Sequence, residues 1–286
     1  MLKRKKKIRT LICLWTGVVG AASVFLRRKA ENNVFSADSM SAVEPRHKGL
    51  YETYVKRILD VLCAGAAITF LSPLYLIIAV LVRIKLGSPV IFVQERPGMV
   101  DANGKETIFK MYKFRTMTEE RDEEGVFLPD GMRTSGFGEK LRASSLDELP
   151  EVINILNGTM SVTGPRPQLV EDMLFMSDKQ RKRHTAKPGL TGLAQIKGRN
   201  AITWEEKLNW DLEYIKSVNF FRDLKIVLET AAVVFKKDGI TDGENATALN
   251  YGDVLLQEGK VTGEEYIRLK KEADAILENR REAAWK

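Results

Sequence analysis

Two apolar runs interrupt an otherwise mixed chain. In the longer one, Val61 to Val82, only Thr69, Ser72 and Pro73 are not plainly apolar or small. Its length suits a membrane helix, which needs ~20 apolar residues. Pro73 sits near the middle, where proline removes a backbone donor and clashes with the preceding turn. Basic residues flank both ends, Lys56 and Arg57 before and Arg83 and Lys85 after. Positive residues favour the cytoplasmic side, so both ends are expected on that side. Each half then spans roughly 15 Å at the helical rise, half a bilayer. The pattern predicts a helix-break-helix that enters and leaves one leaflet, with a kinked spanning helix as the alternative. A break exposes backbone groups to hydrocarbon. Ser72 is placed to satisfy one locally, and Asp60 at the membrane edge can reach another polar group. The shorter run, Leu11 to Leu26, follows the basic stretch Lys3 to Lys7 and precedes Arg27, Arg28 and Lys29. A signal-like core, a marginal span and an interfacial anchor all fit it, but the basic cluster after it is the wrong flank for a cleaved signal peptide. Residues 30–50 read as a polar linker.

Beyond residue 86 the pattern becomes globular. Val90 to Val93 and Ile108 to Phe114 read as strands, and Glu119 to Glu124 as a solvated acidic loop. Residues 145–157 read as an amphipathic helix, with Leu149, Val152, Ile153 and Leu156 at helical spacing, ended by Asn157-Gly158. Met160 to Val162 reads as a short strand. Thr203 to Ser217 predicts a second helix with Trp204, Leu208, Leu212 and Ile215 on one face. Phe220 to Lys237 predicts a third, where apolar residues alternate with Arg222, Lys225, Lys236 and Lys237. That mixture suits a helix on an anionic membrane surface, and core packing explains it nearly as well. Gly263 to Ala284 reads as an exposed, charge-rich helix. The expected divisions are 1–50, a basic and partly apolar extension and linker; 51–86, the re-entrant membrane helix; 87–240, the main globular unit; and 241–286, a charged extension.

Composition narrows the chemistry. The 286 residues carry a formal net charge of +7, which suits nucleic acid, anionic lipid or phosphate substrates alike. Two cysteines, Cys13 and Cys63, and two histidines, His47 and His184, provide no disulfide framework and no metal-ligand spacing. No Walker phosphate loop, dinucleotide fingerprint or internal repeat is present. A nucleic-acid binder would need aromatic platforms or a reading helix beside the basic residues, and the aromatic residues sit mainly on apolar faces.

Asp147-Glu148, within Ser145-Leu146-Asp147-Glu148-Leu149-Pro150, is the candidate reactive pair. Ser145 with Glu148 also fits a capping box, an ordinary helix start. Pro150 places the start near Asp147, whose carboxylate the helix terminus should keep ionised. An ionised carboxylate can bind Mg²⁺ or attack phosphorus. Gly164-Pro165-Arg166-Pro167 presents an arginine from a stiff loop, and arginine is the planar donor suited to phosphate. Lys187-Pro188-Gly189-Leu190-Thr191-Gly192 and Lys197-Gly198-Arg199-Asn200 alternate glycine with basic residues, and Arg142 lies just before the acidic pair. Together these loops suit a diphosphate and a divalent cation.

These residues resemble those of the bacterial sugar transferase family, the monotopic polyprenyl-phosphate phosphoglycosyl transferases. The resemblance runs from about Tyr54 to Ile240. Its motifs stand here as Lys56-Arg57 with Asp60, Ser72-Pro73, Gln94-Glu95-Arg96-Pro97-Gly98 and Tyr112-Lys113-Phe114-Arg115-Thr116-Met117, together with the acidic pair and the three loops above. The resemblance implies an α/β catalytic domain on the cytoplasmic face of the cell membrane, a re-entrant helix broken at Ser72-Pro73, and interfacial amphipathic helices. It implies a UDP-sugar donor, undecaprenyl phosphate as acceptor and Mg²⁺ as cofactor, in the first membrane step of capsule, exopolysaccharide or glycoconjugate synthesis. Asp147 would be the nucleophile that expels UMP, with Glu148 beside it on the metal. Lys113, Arg115, Arg142, Pro165, Arg166, Arg199 and Asn200 would form the substrate site, and Lys56 and Arg57 would meet lipid head groups. Pathway glycosyltransferases are possible partners, and nucleic acid is not expected. A non-enzymatic membrane scaffold is the rival reading. It predicts a damaged acidic pair or lost arginines, and both are intact. Neither extension has a counterpart in the smallest family members.

Overall fold

The computed structural model describes residues 40–198, 202–236 and 249–283. The first apolar run, Arg199 and Asn200 lie outside them. The fold mixes helices with two small sheets.

A long helix, α1 (Lys56–Lys85), follows a π-helical turn at Tyr51–Val55. Among the described residues this is the one helix long and apolar enough to cross a membrane. Its large apolar side chains are mostly uncovered, with Phe70 81% exposed. The expected break at Pro73 is not an interruption of helical structure, because the helix continues through the proline. The hydroxyls account for part of this. Pro73 has no N–H for the Thr69 carbonyl four residues back. Ser72 Oγ donates to that carbonyl at 3.1 Å, and Thr69 Oγ1 donates to the Gly65 carbonyl at 2.8 Å.

Both halves of α1 also touch the globular body. Ala64 packs with Phe109, Met111, Val152, Ile155 and Met160. Farther along, Ile78 and Val82 pack with Phe114 and Leu141, and Tyr75 donates to the Leu149 carbonyl at 2.5 Å.

Strands β1 (Ile91–Val100) and β2 (Glu106–Phe114) form an antiparallel hairpin, longer than the two predicted strands because β1 runs on through Pro97 and through a register shift between Pro97 and Val100 that contains Gly98. One face carries Phe109 and Met111 into the core against α1. Ile108 points to the opposite face, as strand alternation requires. Helix α2 (Gly136–Ala143) leads into the acidic pair, and α3 (Glu151–Asn157) follows it. The helix expected over 145–157 is therefore split. Its core side chains are Val152 and Ile155, while Ile153 is exposed.

Strands β3 (Ser161–Thr163) and β4 (Gly189–Thr191) pair in parallel. Helix α4 (Val170–Leu174) follows β3, and α5 (Trp204–Lys216) begins at Thr203, which forms a full capping box with Glu206. Helix α6 (Phe220–Lys236) buries Asp223 and Ile226 but exposes Phe220, Phe221, Leu224, Val227 and Leu228.

The charged tail is not an exposed helix. After α7 (Tyr251–Gln257), helix α8 (Gly263–Ala283) lays Ala273 and Ile276 against Ile108, Val170, Met173 and Leu174, behind the hairpin. Arg280 Nε lies 3.4 Å from Glu95, and Lys270 Nζ lies 3.1 Å from Glu171. Met40, in the N-terminal linker, joins the same apolar cluster.

Candidate active site

The acidic pair hangs on one unusual residue. After α2 ends, Ser145 takes φ 55° and ψ 17°, the left-handed region, as no other described non-glycine residue does. Such a conformation costs a serine roughly 1–3 kcal/mol and persists only where surrounding structure enforces it. It turns the chain into a 3₁₀ turn, Leu146–Glu148, and Pro150 then starts α3. The predicted capping box does not form. Ser145 makes no capping bond, and the Glu148 carboxylate is taken by two cations. Lys113, from β2, donates to Glu148 Oε1 at 2.8 Å. Arg166 donates to both oxygens, with Nη1 3.3 Å from Oε2.

Asp147 is 8% exposed. Among the described residues its carboxylate makes no hydrogen bond or ion pair. The expectation that a helix terminus keeps it charged is corrected here. Burial pushes Asp147 up to about 6 and the neighbouring Glu148 adds to this, against the pull of Lys113, Arg166 and Arg142. Burial also opposes the charge on Glu148, but there the guanidinium of Arg166 and the ammonium of Lys113 win and hold it well below the usual carboxylate range.

Two residues at the site have no role assigned from the sequence, although Arg96 lies in the motif Gln94-Glu95-Arg96-Pro97-Gly98. Glu151 is 1% exposed and lies 3.2 Å from Lys113 Nζ. Burial raises it to about 7, with Lys113 pulling down and Glu148 pushing up. It passes for an ordinary first-turn acid. The available signal was its spacing, four residues after Asp147 and so on the same helical face. Arg96 donates to Gln94 Oε1 and, at 3.3 Å, to the Pro167 carbonyl. Burial and the charge of Arg166 lower it to about 10. Two like-charged guanidiniums thus stand around one loop, an arrangement chemically suited to an anion.

The loop Gly164–Pro167 is stitched to β4. Gly164 N donates to the Thr191 carbonyl at 2.9 Å, and Gly189 N donates to the Pro165 carbonyl at 3.0 Å. A side chain on Gly164 would strike the Lys187 carbonyl oxygen, and one on Gly189 would strike Gly164 N. These glycines serve backbone-to-backbone contact beneath Arg166, in place of the phosphate contacts predicted for them. Arg142 Nε donates to Thr116 Oγ1 at 2.9 Å, and its charge is felt at Asp147.

The structure thus gathers Lys113, Arg142 and Arg166 around Asp147 and Glu148. Other predicted residues are engaged elsewhere. Arg115 donates to the Leu86 and Ser88 carbonyls, the latter at 3.0 Å, and fastens the exit of α1. Lys56 is buried, paired with Asp223, and donates to Thr163 Oγ1 at 2.5 Å. Arg57 donates to the carbonyls of Ile155 and Leu156, the latter at 2.7 Å, where a cation complements the C-terminus of α3. Asp60 accepts from Ser161 Oγ and Val162 N, both at 2.9 Å. Placed on these partners, Lys56 and Asp60 tie α1 to the strand that leads into the arginine loop and Arg57 ties it to the end of α3, where lipid head groups were expected for Lys56 and Arg57.

Comparison with known proteins points the same way. A family profile described as bacterial sugar transferase matches residues 51–237. The chain is 44% identical over 203 residues to the uncharacterized sugar transferase EpsL of Bacillus subtilis, covering 70% of this chain and 98% of that one. It is 37% identical to the exopolysaccharide production protein ExoY of Rhizobium meliloti, covering 72% and 95%. It is 39% identical over 191 residues to a UDP-glucose:undecaprenyl-phosphate glucose-1-phosphate transferase of Klebsiella pneumoniae, covering 63% of this chain and 39% of that one.

Proposed function

This chain belongs to the bacterial sugar transferase family, and we propose that it moves a sugar phosphate from a UDP-sugar to undecaprenyl phosphate through a covalent intermediate on Asp147. The observation that carries the proposal is the contrast within the acidic pair. Glu148 is neutralised by Lys113 and Arg166, whereas Asp147 is buried, adjacent and free of partners among the described residues. An unengaged carboxylate beside cations is a nucleophile poised for phosphorus. Relatives named for glucose 1-phosphate transfer, galactose phosphotransfer and N-acetylgalactosamine phosphotransfer to undecaprenyl phosphate support the class of reaction.

In the first step an Asp147 carboxylate oxygen attacks the β-phosphorus of the donor. The bond from that phosphorus to the bridging oxygen breaks, and UMP leaves with the oxygen. In the second step an oxygen of the lipid phosphate attacks the same phosphorus, and the Asp147 carboxylate is released. The product is a polyprenyl diphosphate sugar. Arg166, Arg96 and Arg142 compensate the charge of the diphosphate, and Lys113 holds Glu148 in place. Fixed cations in a water-poor site are worth more than the same charges in water.

The residues fit a magnesium ion. Magnesium is held by one or two carboxylates together with substrate phosphate oxygens and waters. Asp147 offers an unengaged carboxylate, and Glu148 next to it would join as a second ligand only by giving up a bond to Lys113 or Arg166. Among the described residues no cluster of three or more His, Cys, Asp or Glu able to hold an ion is present, so the proposed cation would draw most of its ligands from substrate and water. When bound, it would neutralise developing phosphate charge.

A re-entrant α1, with the catalytic domain on the cytoplasmic face, is supported by the attachment of both its halves to one body. Ala64, before Pro73, and Ile78, after it, both lie in clusters that include residues of β2. The exposed apolar face of α6 suits an interfacial helix. The functional test is a panel of UDP-sugars incubated with undecaprenyl phosphate vesicles and Mg²⁺. UMP release from at least one donor is expected, and none from any donor would overturn the proposal.

A further inference from the structure

We propose that Arg183 is a positioning residue, which holds the backbone of Arg166 so that its guanidinium reaches the phosphate site. The inference rests on the function proposed above only in taking Arg166 as the anion-binding arginine.

Arg183 is 1% exposed. Its Nε and Nη2 both donate to one oxygen of Asp211 on α5, Oδ2, at 2.9 and 2.7 Å, and Asp211 Oδ1 has no hydrogen-bond partner among the described residues. The same Nη2 donates to the Arg166 carbonyl oxygen. Nη1 lies 3.3 Å from His184 Nε2, and His184 Nδ1 lies 3.3 Å from Glu106 Oε1. Glu106 is gripped in turn by Arg181, at 2.8 and 2.7 Å. A planar guanidinium can serve a carboxylate and a carbonyl at once, whereas an ammonium on a flexible stem cannot fix the same geometry.

The carbonyl it grips belongs to the one loop residue that needs exact placement. Arg166 is flanked by Pro165 and Pro167, which lack N–H groups, so the loop has few anchors of its own. Pro165 and Gly164 are tied to β4 on one side. On the other side Arg96 holds the Pro167 carbonyl. Arg183 supplies the grip between them. A buried pair far from water is costly to form and is retained here at the loop, where it fixes a conformation. Its partner Asp211 stands on the helix that follows Gly198 and Ile202, so one pair joins α5 to the arginine loop.

Removing Arg183 alone would leave a buried Asp211 charge and could unfold the chain. Replacing both partners by apolar residues of similar size is often tolerated, so the variant used is Arg183→Met with Asp211→Leu. The probe is inorganic diphosphate with Mg²⁺, titrated calorimetrically into the full-length chain, in a cycle with Arg166→Ala. The double substitution is expected to weaken diphosphate about tenfold while the melting temperature stays near wild type. Adding Arg166→Ala to it should then cost little more, because both changes remove the same contact. The donor KM should rise more than kcat falls. Additive losses, or wild-type affinity in the double variant, would overturn the proposal. Coupled losses in a protein that releases no UMP from any donor would support this role for Arg183 and refute the transferase reading instead.

Discussion

Asp147 is the residue where fold and function pull hardest against each other. Its folded value of about 6 stands above the ~3.9 of an unfolded chain. The native state therefore binds this proton more tightly. Its contribution to stability is complete below about pH 4 and is lost as pH rises through 6. At neutral pH the difference amounts to about 3 kcal/mol of destabilisation. Asp147→Asn is expected to melt higher than wild type at pH 8 in chelator, and the gap should close near pH 4. A lower melting temperature at pH 8 would contradict the burial argument. The pair itself was legible in the sequence, because two adjacent acids before a proline stand out locally. Glu151 and Arg96 were not, since what marks them is burial against Lys113 and Arg166, many residues away. Lys56 misled for the same reason. A basic residue before an apolar run looks like a head-group contact, and its true partner Asp223 lies 167 positions along the chain.

At the scale of elements, capped helices were the easiest to read. The helix expected over Thr203 to Ser217 forms, and Thr203 and Glu206 cap its start. The helix expected over 145–157 failed because a left-handed Ser145 is a tertiary decision, enforced by the packing of Leu141 and Leu149 against α1. Helix α1 was legible as a membrane element from Val61 to Val82, and Ser72 bonds to the carbonyl that Pro73 leaves without a partner. With Cys13 and Cys63 replaced, single cysteines at Gly49 and Ser88 should react with an impermeant reagent from the same side of sealed vesicles. Labelling from opposite sides would show that α1 spans. Helix α6 should work as a surface anchor. Phe221→Glu with Leu228→Glu is expected to reduce vesicle binding of the purified chain severalfold without lowering its melting temperature, since both side chains are mostly exposed. Unchanged binding would assign the face to something other than lipid.

Across the whole molecule, the two extensions matter more than their sequences suggest. Residues 249–283 and Met40 fall outside the family-matched span, yet they cover the back of the hairpin whose front carries Lys113 to the acidic pair. Charge concealed this. Helix α8 is strongly polar, and its small buried stripe of Ala273 and Ile276 is only recognisable once Ile108 is opposite it. Ile276→Ala should cost about 2–5 kcal/mol by chemical denaturation. A cost within ~0.5 kcal/mol, the range of an ordinary surface substitution, would mean that the extension is not part of the folded unit. The formal net charge of +7 is carried by residues 1–39, with nine Lys and Arg against Glu31 and Asp38, so residues 40–286 are formally neutral and the cations beside the acidic pair are balanced elsewhere in that span.

The central claim is that Asp147 carries the sugar phosphate. The most direct measurement is intact-protein and peptide mass spectrometry of the full-length chain, mixed with its UDP-sugar and Mg²⁺ but no lipid phosphate. The account predicts at most one equivalent of UMP released, the mass of one sugar phosphate added to the peptide containing Asp147, and neither event with Asp147→Asn. UMP release that strictly requires the lipid phosphate, with no mass added at Asp147, or an Asn variant with full activity, would contradict it.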